Sequence, residues 1–264
     1  MIKNMTLGQY FPGSSVIHKL DPRAKLVLVI GLIVAIFMAN AWLGNAVIFG
    51  FLVLTVALSR VSVRFVLRGL KPLWFIIVLT FVLNTFFYSG GTPLFTWWII
   101  NITREGLDSA LWLAVRLIFL ISATTMLTLT TTPIALTDGL ESLMKPLKAV
   151  RFPVHELAMM MTIAMRFIPT LLEETDKIMK AQTARGAEFD SGSVIARAKG
   201  MVPLLVPLFV SAFRRAYELA DAMESRCYHG GEGRTRMKVL HFHWRDLAAA
   251  MLVAALITAM AIWF

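Results

Sequence analysis

Cysteine is nearly missing from this chain. Cys227 stands alone, which excludes an intramolecular disulfide and any cysteine-cluster metal site. Acidic residues are few beside basic ones, 16 against 26, leaving a net charge of +10. No Gly-x-x-x-x-Gly-Lys-Ser/Thr phosphate loop occurs, so the sequence carries no nucleotide cradle of that kind. The cluster Gly230-Gly231-Glu232-Gly233 lacks the Lys-Ser/Thr and reads as a flexible loop. No Ser/His/Asp set and no pair of intramembrane carboxylates points to catalysis. His241 and His243 have no cysteine or acidic cluster beside them, so no metal is read there. Charge is itself missing over long stretches, with none from Leu26 to Ser59.

What fills those stretches is apolar. Hydrophobic residues make up 58% of the chain, against about 45–50% in a soluble domain. Several runs reach the roughly 20 residues that a helix needs to cross a bilayer. The reading is an all-α, polytopic membrane protein of about five spans. The polar first 25 residues and the length of the first apolar run argue against a signal peptide. Asp21-Pro22 is an N-cap followed by proline at the first helical position. The uncharged run from Leu26 to Ser59 suits two spans, Leu26–Ala39 and Ala46–Ser59, with a turn at Asn40 to Asn45. Pro72–Tyr88 is a third span, ended by Ser89-Gly90-Gly91-Thr92-Pro93. Phe95, Trp97 and Trp98 then resemble an interfacial aromatic belt. A fourth span runs over Ala110–Thr130 and a fifth over Leu247–Phe264. Arg116, inside the fourth, is read as snorkelling to the interface. Between spans two and three, Arg60, Arg64 and Arg68 recur at every fourth position, followed by Lys71. This segment is either an interfacial helix on an anionic surface or an ordinary basic loop.

The basic residues alternate between loops as 4, 0, 4, 1 and 16. This is the positive-inside pattern rather than a nucleic-acid surface. It predicts a cytoplasmic segment 1–25, four spans within 26–132, a cytoplasmic region 133–245 and a last span 246–264 whose end lies outside. Thr131-Thr132-Pro133 starts a short helix in the cytoplasmic region.

That region is organised around two long helical segments. The first is apolar nearly all round from Leu157 to Leu172, then amphipathic, with Glu173–Lys177 and Asp176–Lys180 as i,i+4 pairs. Pro169 predicts a kink. It ends at Ala184-Arg185-Gly186, with the glycine where a helix C′ residue belongs. Asp190 to Ser193 offers N-caps for the second segment. Met201–Val210 is apolar with Pro203 and Pro207. Phe213, Tyr217, Ala220 and Met223 continue one face, and the segment ends at Ser225-Arg226-Cys227. A lone terminal cation complements the helix dipole. A repeated plan of small-Arg-small points instead to two arginine tips that dock in grooves, where a planar fork grips carboxylates or carbonyls.

These residues carry a resemblance. Tyr10–Lys25, Thr132-Pro133, Arg166-Phe167-Ile168-Pro169, Ala181-Gln182-Thr183-Ala184-Arg185-Gly186 and Met223-Glu224-Ser225-Arg226 occur in this order along nearly the whole chain. On a five-span topology the chain resembles the transmembrane coupling subunit (EcfT) of energy-coupling factor transporters, the vitamin-importing branch of the ABC superfamily. The resemblance implies an L-shaped subunit with long coupling helices. It implies that Ala184, Arg185, Gly186, Ser225, Arg226 and Cys227 dock on two ABC ATPase subunits, and that ATP and magnesium are held there rather than on this chain. It implies that Leu157, Met161, Met165, Leu204, Leu208 and Phe209 face a membrane substrate-binding S subunit, which selects the vitamin or micronutrient. The chain would then be a non-catalytic coupling subunit in the cell membrane. The alternative is a self-sufficient secondary transporter. That would want inverted repeats and ionisable groups at the midplane, whereas no repeat is seen and Arg116 is the only internal charge. A membrane enzyme is a third and more distant reading.

Overall fold

A computed structural model of the chain describes residues 10–39, 41–87, 93–97, 100–187, 189, 193–230 and 239–263. The expected break at 88–92, Trp98, the N-cap candidates at 190–192 and the glycines after Gly230 lie outside the described residues. The chain forms two compact units. One comprises residues 8–142 with 240–264, and the other residues 143–239.

Among the described residues the first unit holds seven α-helices. α1 spans Pro22–Met38, with the Asp21 side chain accepting from the Arg23 N–H at 2.8 Å. The cap therefore forms where Asp21-Pro22 predicted it. α2 (Trp42–Ser59) begins earlier than the expected Ala46, because Gly44 and Asn45 are taken into the helix and buried. The second half of the expected turn at Asn40 to Asn45 is thus helix, and Asn40 lies outside the described residues. α3 (Val63–Leu70) and α4 (Trp74–Phe87) are joined by a 3₁₀ turn, Lys71–Leu73. The basic segment is thus helical and runs straight into a span. α5 (Arg104–Thr130) is longer than the expected Ala110–Thr130. Thr103 caps it, with its hydroxyl oxygen accepting from the Gly106 N–H at 3.1 Å. α6 (Pro133–Leu143) starts at the predicted proline, and the Thr132 hydroxyl accepts from the Ala135 N–H. α9 (Trp244–Trp263) is the last helix.

Among the described residues two strands depart from the helical pattern. β1 (Pro93–Trp97) and β2 (Ile100–Thr103) pair antiparallel. The sequence reading placed a surfacing aromatic belt here. The aromatic and β-branched residues among Phe95–Trp97 and Ile100–Thr103 are the strand signal it passed over.

α1, α2, α5 and α9 enclose the main core, where Ala35, Ile36, Ile48 and Met260 are almost fully buried. A smaller cluster, Val61, Val66, Met126 and Leu129, ties α3 to the end of α5. The outer surface stays apolar: Ile30, Phe37, Phe49, Phe75 and Phe87 are all exposed. Among the described residues four helices are long and apolar enough to cross a membrane: 42–59, 63–87, 104–130 and 244–262. α1, at 17 residues, is a turn shorter than a typical span. Hydroxyls inside the spans close onto their own helix. Ser122, Thr124 and Thr130 donate to the carbonyls of Ile118, Leu120 and Met126, which removes the cost of bare polar groups in lipid. Arg116 lies over the Phe37 ring of α1, 5.2 Å from its centroid, a cation–π contact.

A buried polar knot joins the start of α1, the end of α5 and the start of α9. The Asp246 carboxylate accepts from the backbone N–H groups of Asp21 and His243, each at 2.8 Å. The Lys25 ammonium donates to the carbonyls of Thr130 (2.8 Å) and His18 (3.2 Å) and to the Thr131 hydroxyl (3.2 Å). The leading segment docks there too, through the Phe11 N–H on the Leu129 carbonyl.

The second unit begins with a 3₁₀ turn, Lys145–Val150, and consists mainly of α7 (Val154–Ala184) and α8 (Val194–Glu224). Each has 31 residues and stays helical through its prolines: Pro169 in α7, Pro203 and Pro207 in α8.

Candidate functional site

α7 and α8 end in the same way. In α7 the Gly186 N–H donates to the Thr183 carbonyl and the Ala187 N–H to the Gln182 carbonyl, both at 3.0 Å. In α8 the Cys227 N–H donates to Glu224 at 2.8 Å and the Tyr228 N–H to Met223 at 3.1 Å. These are two Schellman closures in identical register. Each turns the chain at a left-handed residue, Gly186 at φ 87° and Cys227 at φ 54°. The arginine stands immediately before that residue in both, and Ala184, Arg185, Gly186, Ser225, Arg226 and Cys227 are all exposed. The predicted tips therefore exist as local structures, and the repeated small-Arg-small pattern has a backbone cause. The helix needs a residue that tolerates positive φ just after the arginine. Glycine meets that need freely, and Cys227 meets it at a strain cost.

The two tips point to opposite ends of the pair. Glu174 of α7 meets Ser211 and Arg215 of α8. Farther along, Met159 and Ile163 of α7 line a cleft of about 440 Å³ with Leu219, Met223 and the turn from Arg226 to Gly230. As α8 advances, its partners on α7 move backwards, so the helices run antiparallel. Arg226 lines the cleft with Met159 and Ile163 of the first half of α7, whereas Arg185 closes the far end of α7.

The meeting point was not anticipated. One Glu174 oxygen accepts from the Ser211 hydroxyl. The other accepts from the Arg215 guanidinium, at 3.2 Å from Nε and 3.0 Å from an Nη. The Ser211 hydrogen bond is the largest influence on the Glu174 carboxyl and holds it below the ordinary glutamate range. Partial burial opposes that shift, while Arg215 and Lys177 reinforce it. Sequence reasoning had paired Glu173 with Lys177 along α7 and left Glu174 aside. The signal it missed was the i,i+4 placement of Ser211 and Arg215 on one face of α8.

The predicted partner surface divides. Phe209 (61% exposed) and Met161 (39%) face outward, Leu157, Met165 and Leu208 are half-buried, and Leu204 is buried. The outward apolar surface of α8 is a stripe of Val202, Val206, Phe209, Phe213 and Tyr217, all more than half exposed. Steps of three and four residues keep them on one side of the helix.

Comparison with known proteins bears on these elements. The family model described as "Cobalt transport protein" (CbiQ) matches residues 13–237. Curated relatives carry the name energy-coupling factor transporter transmembrane protein EcfT, three of them as follows. That of Ruminiclostridium cellulolyticum is 52% identical over 98% of this chain and 96% of its own length. That of Thermosediminibacter oceani is 56% identical over 94% and 93%, and that of Bacillus subtilis 47% identical over 100% and 99%. The chain, a mainly helical multi-pass membrane protein with an arginine in each of two matched helix-terminal turns, therefore belongs to the family of energy-coupling factor transporter transmembrane proteins.

Proposed function

We propose that this chain is the coupling subunit of an ATP-driven micronutrient importer, and that Arg185 and Arg226 are its contacts with two ATPase subunits. The observation that carries this reading is the pair of identical Schellman closures. Each presents an exposed arginine at a turn with small or left-handed neighbours, one at either end of an antiparallel helix pair. Tips at opposite ends suit two separate docking grooves rather than one. The exposed stripe on α8 suits a membrane partner, the S subunit that would select the cargo. A contiguous apolar face of this kind marks an interaction site. ATP and magnesium belong to the ATPase subunits, since this sequence offers no phosphate loop.

The same reading orients the chain. On this reading residues 1–25 and 133–245 are cytoplasmic, supported by their basic residues, with α1 as a fifth span shorter than the other four. Residues 246–264 then cross outward. α7 and α8 are the coupling helices of the cytoplasmic region.

The test is reconstitution of the chain with its ATPase and S subunits in proteoliposomes. Arg185→Glu and Arg226→Glu each place an anion where a cation docks. The double variant is expected to lose uptake and ATPase co-purification while the membrane unit folds normally. Wild-type uptake by the double variant would refute the assignment. So would ion-gradient-driven uptake by this chain without any ATPase.

A further inference from the structure

We infer that Glu174, Ser211 and Arg215 form the pivot of the two arms, setting the angle between α7 and α8 and carrying a displacement of one arginine tip to the other. This rests on the coupling reading above and names the positioning residues within it.

Four observations converge on this joint. Its chemistry is directional. Both Glu174 oxygens are occupied from α8, one by the Ser211 hydroxyl and one by two N–H groups of the Arg215 fork. A carboxylate held on both oxygens by two side chains one turn apart has little freedom to slide or swivel. Its surroundings are different. Farther along the pair, Met159 and Ile163 face Leu219 and Met223 across a cleft of about 440 Å³, an apolar region of flexible side chains, with methionine the most plastic of core residues. The cleft leaves the helices room to shift there, whereas the polar joint holds its register.

Its position is symmetric. Arg185 lies eleven residues beyond Glu174, and Arg226 eleven beyond Arg215. At about 1.5 Å per residue, each tip stands roughly 16 Å from the joint. The arms are therefore of equal length and, because the helices are antiparallel, extend in opposite directions. A rotation of about 10° at the joint moves a tip by roughly 3 Å on such an arm. Finally, the joint is only partly buried, with side-chain exposures of 36% for Arg215 and 23% for Glu174. An ion pair at this depth contributes little to stability. What it supplies is geometry.

The experiment has two arms. In the first, the full chain in lipid nanodiscs carries Cys227→Ser to remove its native thiol. Spin labels are attached through Lys180→Cys and Asp221→Cys, both exposed and outside the arginine turns. Double electron–electron resonance then reads the distance between the arms. The parent chain is expected to give one narrow distribution. Glu174→Gln and Ser211→Ala should each broaden it, and the exchanged pair Glu174→Arg/Arg215→Glu should narrow it again. In the second arm, the complete reconstituted transporter reads cargo moved per ATP hydrolysed. Glu174→Gln is expected to lower that ratio several-fold with ATPase co-purification unchanged, and the exchanged pair to restore a large part of it. A merely structural contact would lower assembly and leave the ratio alone.

A distribution in Glu174→Gln and Ser211→Ala as narrow as the parent's would overturn the proposal. An unchanged coupling ratio in well-assembled Glu174→Gln complexes would do the same. If Glu174→Gln fails to fold, Ser211→Ala decides, since it removes one hydrogen bond and no charge. The distance measurement uses no ATPase, so loss of the pivot and loss of the tip-docking reading give different results.

Discussion

Replacing Asp246 tests how the membrane unit is closed. Its side chain is 3% exposed and accepts two backbone N–H groups, those of Asp21 and His243, each at 2.8 Å. The second bond is the N-cap arrangement of α9, with the acid three residues into the helix reaching back to the residue before it. The first crosses to the N-cap of α1, 225 residues away. In Asp246→Ala the Asp21 N–H is left buried without this partner, at about 1–3 kcal/mol, while the part-buried N–H of exposed His243 loses its helix-cap bond, at about 1 kcal/mol. The loss is about 2–4 kcal/mol in sum, before counting the anion removed from the neighbourhood of buried Lys25. Asp246→Asn keeps one acceptor oxygen and turns an NH₂ toward the other N–H. Its loss should be near half, about 1–2 kcal/mol. The measurement is denaturant unfolding of the purified chain in mixed micelles, followed by far-UV circular dichroism. The expected order of stability is wild type, then Asn, then Ala. An alanine variant within about 0.5 kcal/mol of wild type, the range of an inconsequential surface change, would show that the two N–H groups find other partners and would refute the argument.

Two other substitutions test close approach and backbone strain. At Gly69 an added Cβ would lie 2.7 Å from the Thr125 hydroxyl and 2.8 Å from its methyl group. Gly69→Ala should therefore cost about 1–3 kcal/mol by overpacking α3 against α5. Gly69→Ala/Thr125→Ala should recover most of that in the same unfolding assay. At Cys227 the backbone sits at φ 54°, where a side chain costs about 1–2 kcal/mol and glycine does not. Cys227→Gly should slow amide hydrogen exchange at 227 and 228 by firming the closure of α8, and should leave ATPase docking intact.

Much of the local structure was readable from single residues. Asp21-Pro22, Thr132-Pro133 and Gly186 each specify one helix end through one hydrogen bond or one φ angle, and each acts where it stands in the chain. The uncharged runs pointed to four helices long and apolar enough to span, and to α1, which is shorter, for an equally local reason, since a charge inside lipid is costly whatever surrounds it. Boundaries moved where packing overruled the turn signal, as at Gly44 and Asn45, which became buried helix. What stayed hidden was every pairing between distant segments. Glu174 looked like one acid among several on α7, because Ser211 and Arg215 become its neighbours only when α8 folds back. Asp246 looked like an ordinary first-turn acid, because its second partner lies on the first helix. The arginine tips lie between these cases. The sequence pattern located them, and the folded backbone supplied the matching turns.

The bond between Asp246 and Asp21 also bears on how the membrane unit is made. Helices emerge from the ribosome in order, so α1 must wait through the synthesis of every other span before α9 appears. During that interval the Asp21 N–H lacks its carboxylate. The contact that joins the first helix to the last is therefore among the final ones to form, and a chain that stalls before Asp246 lacks it.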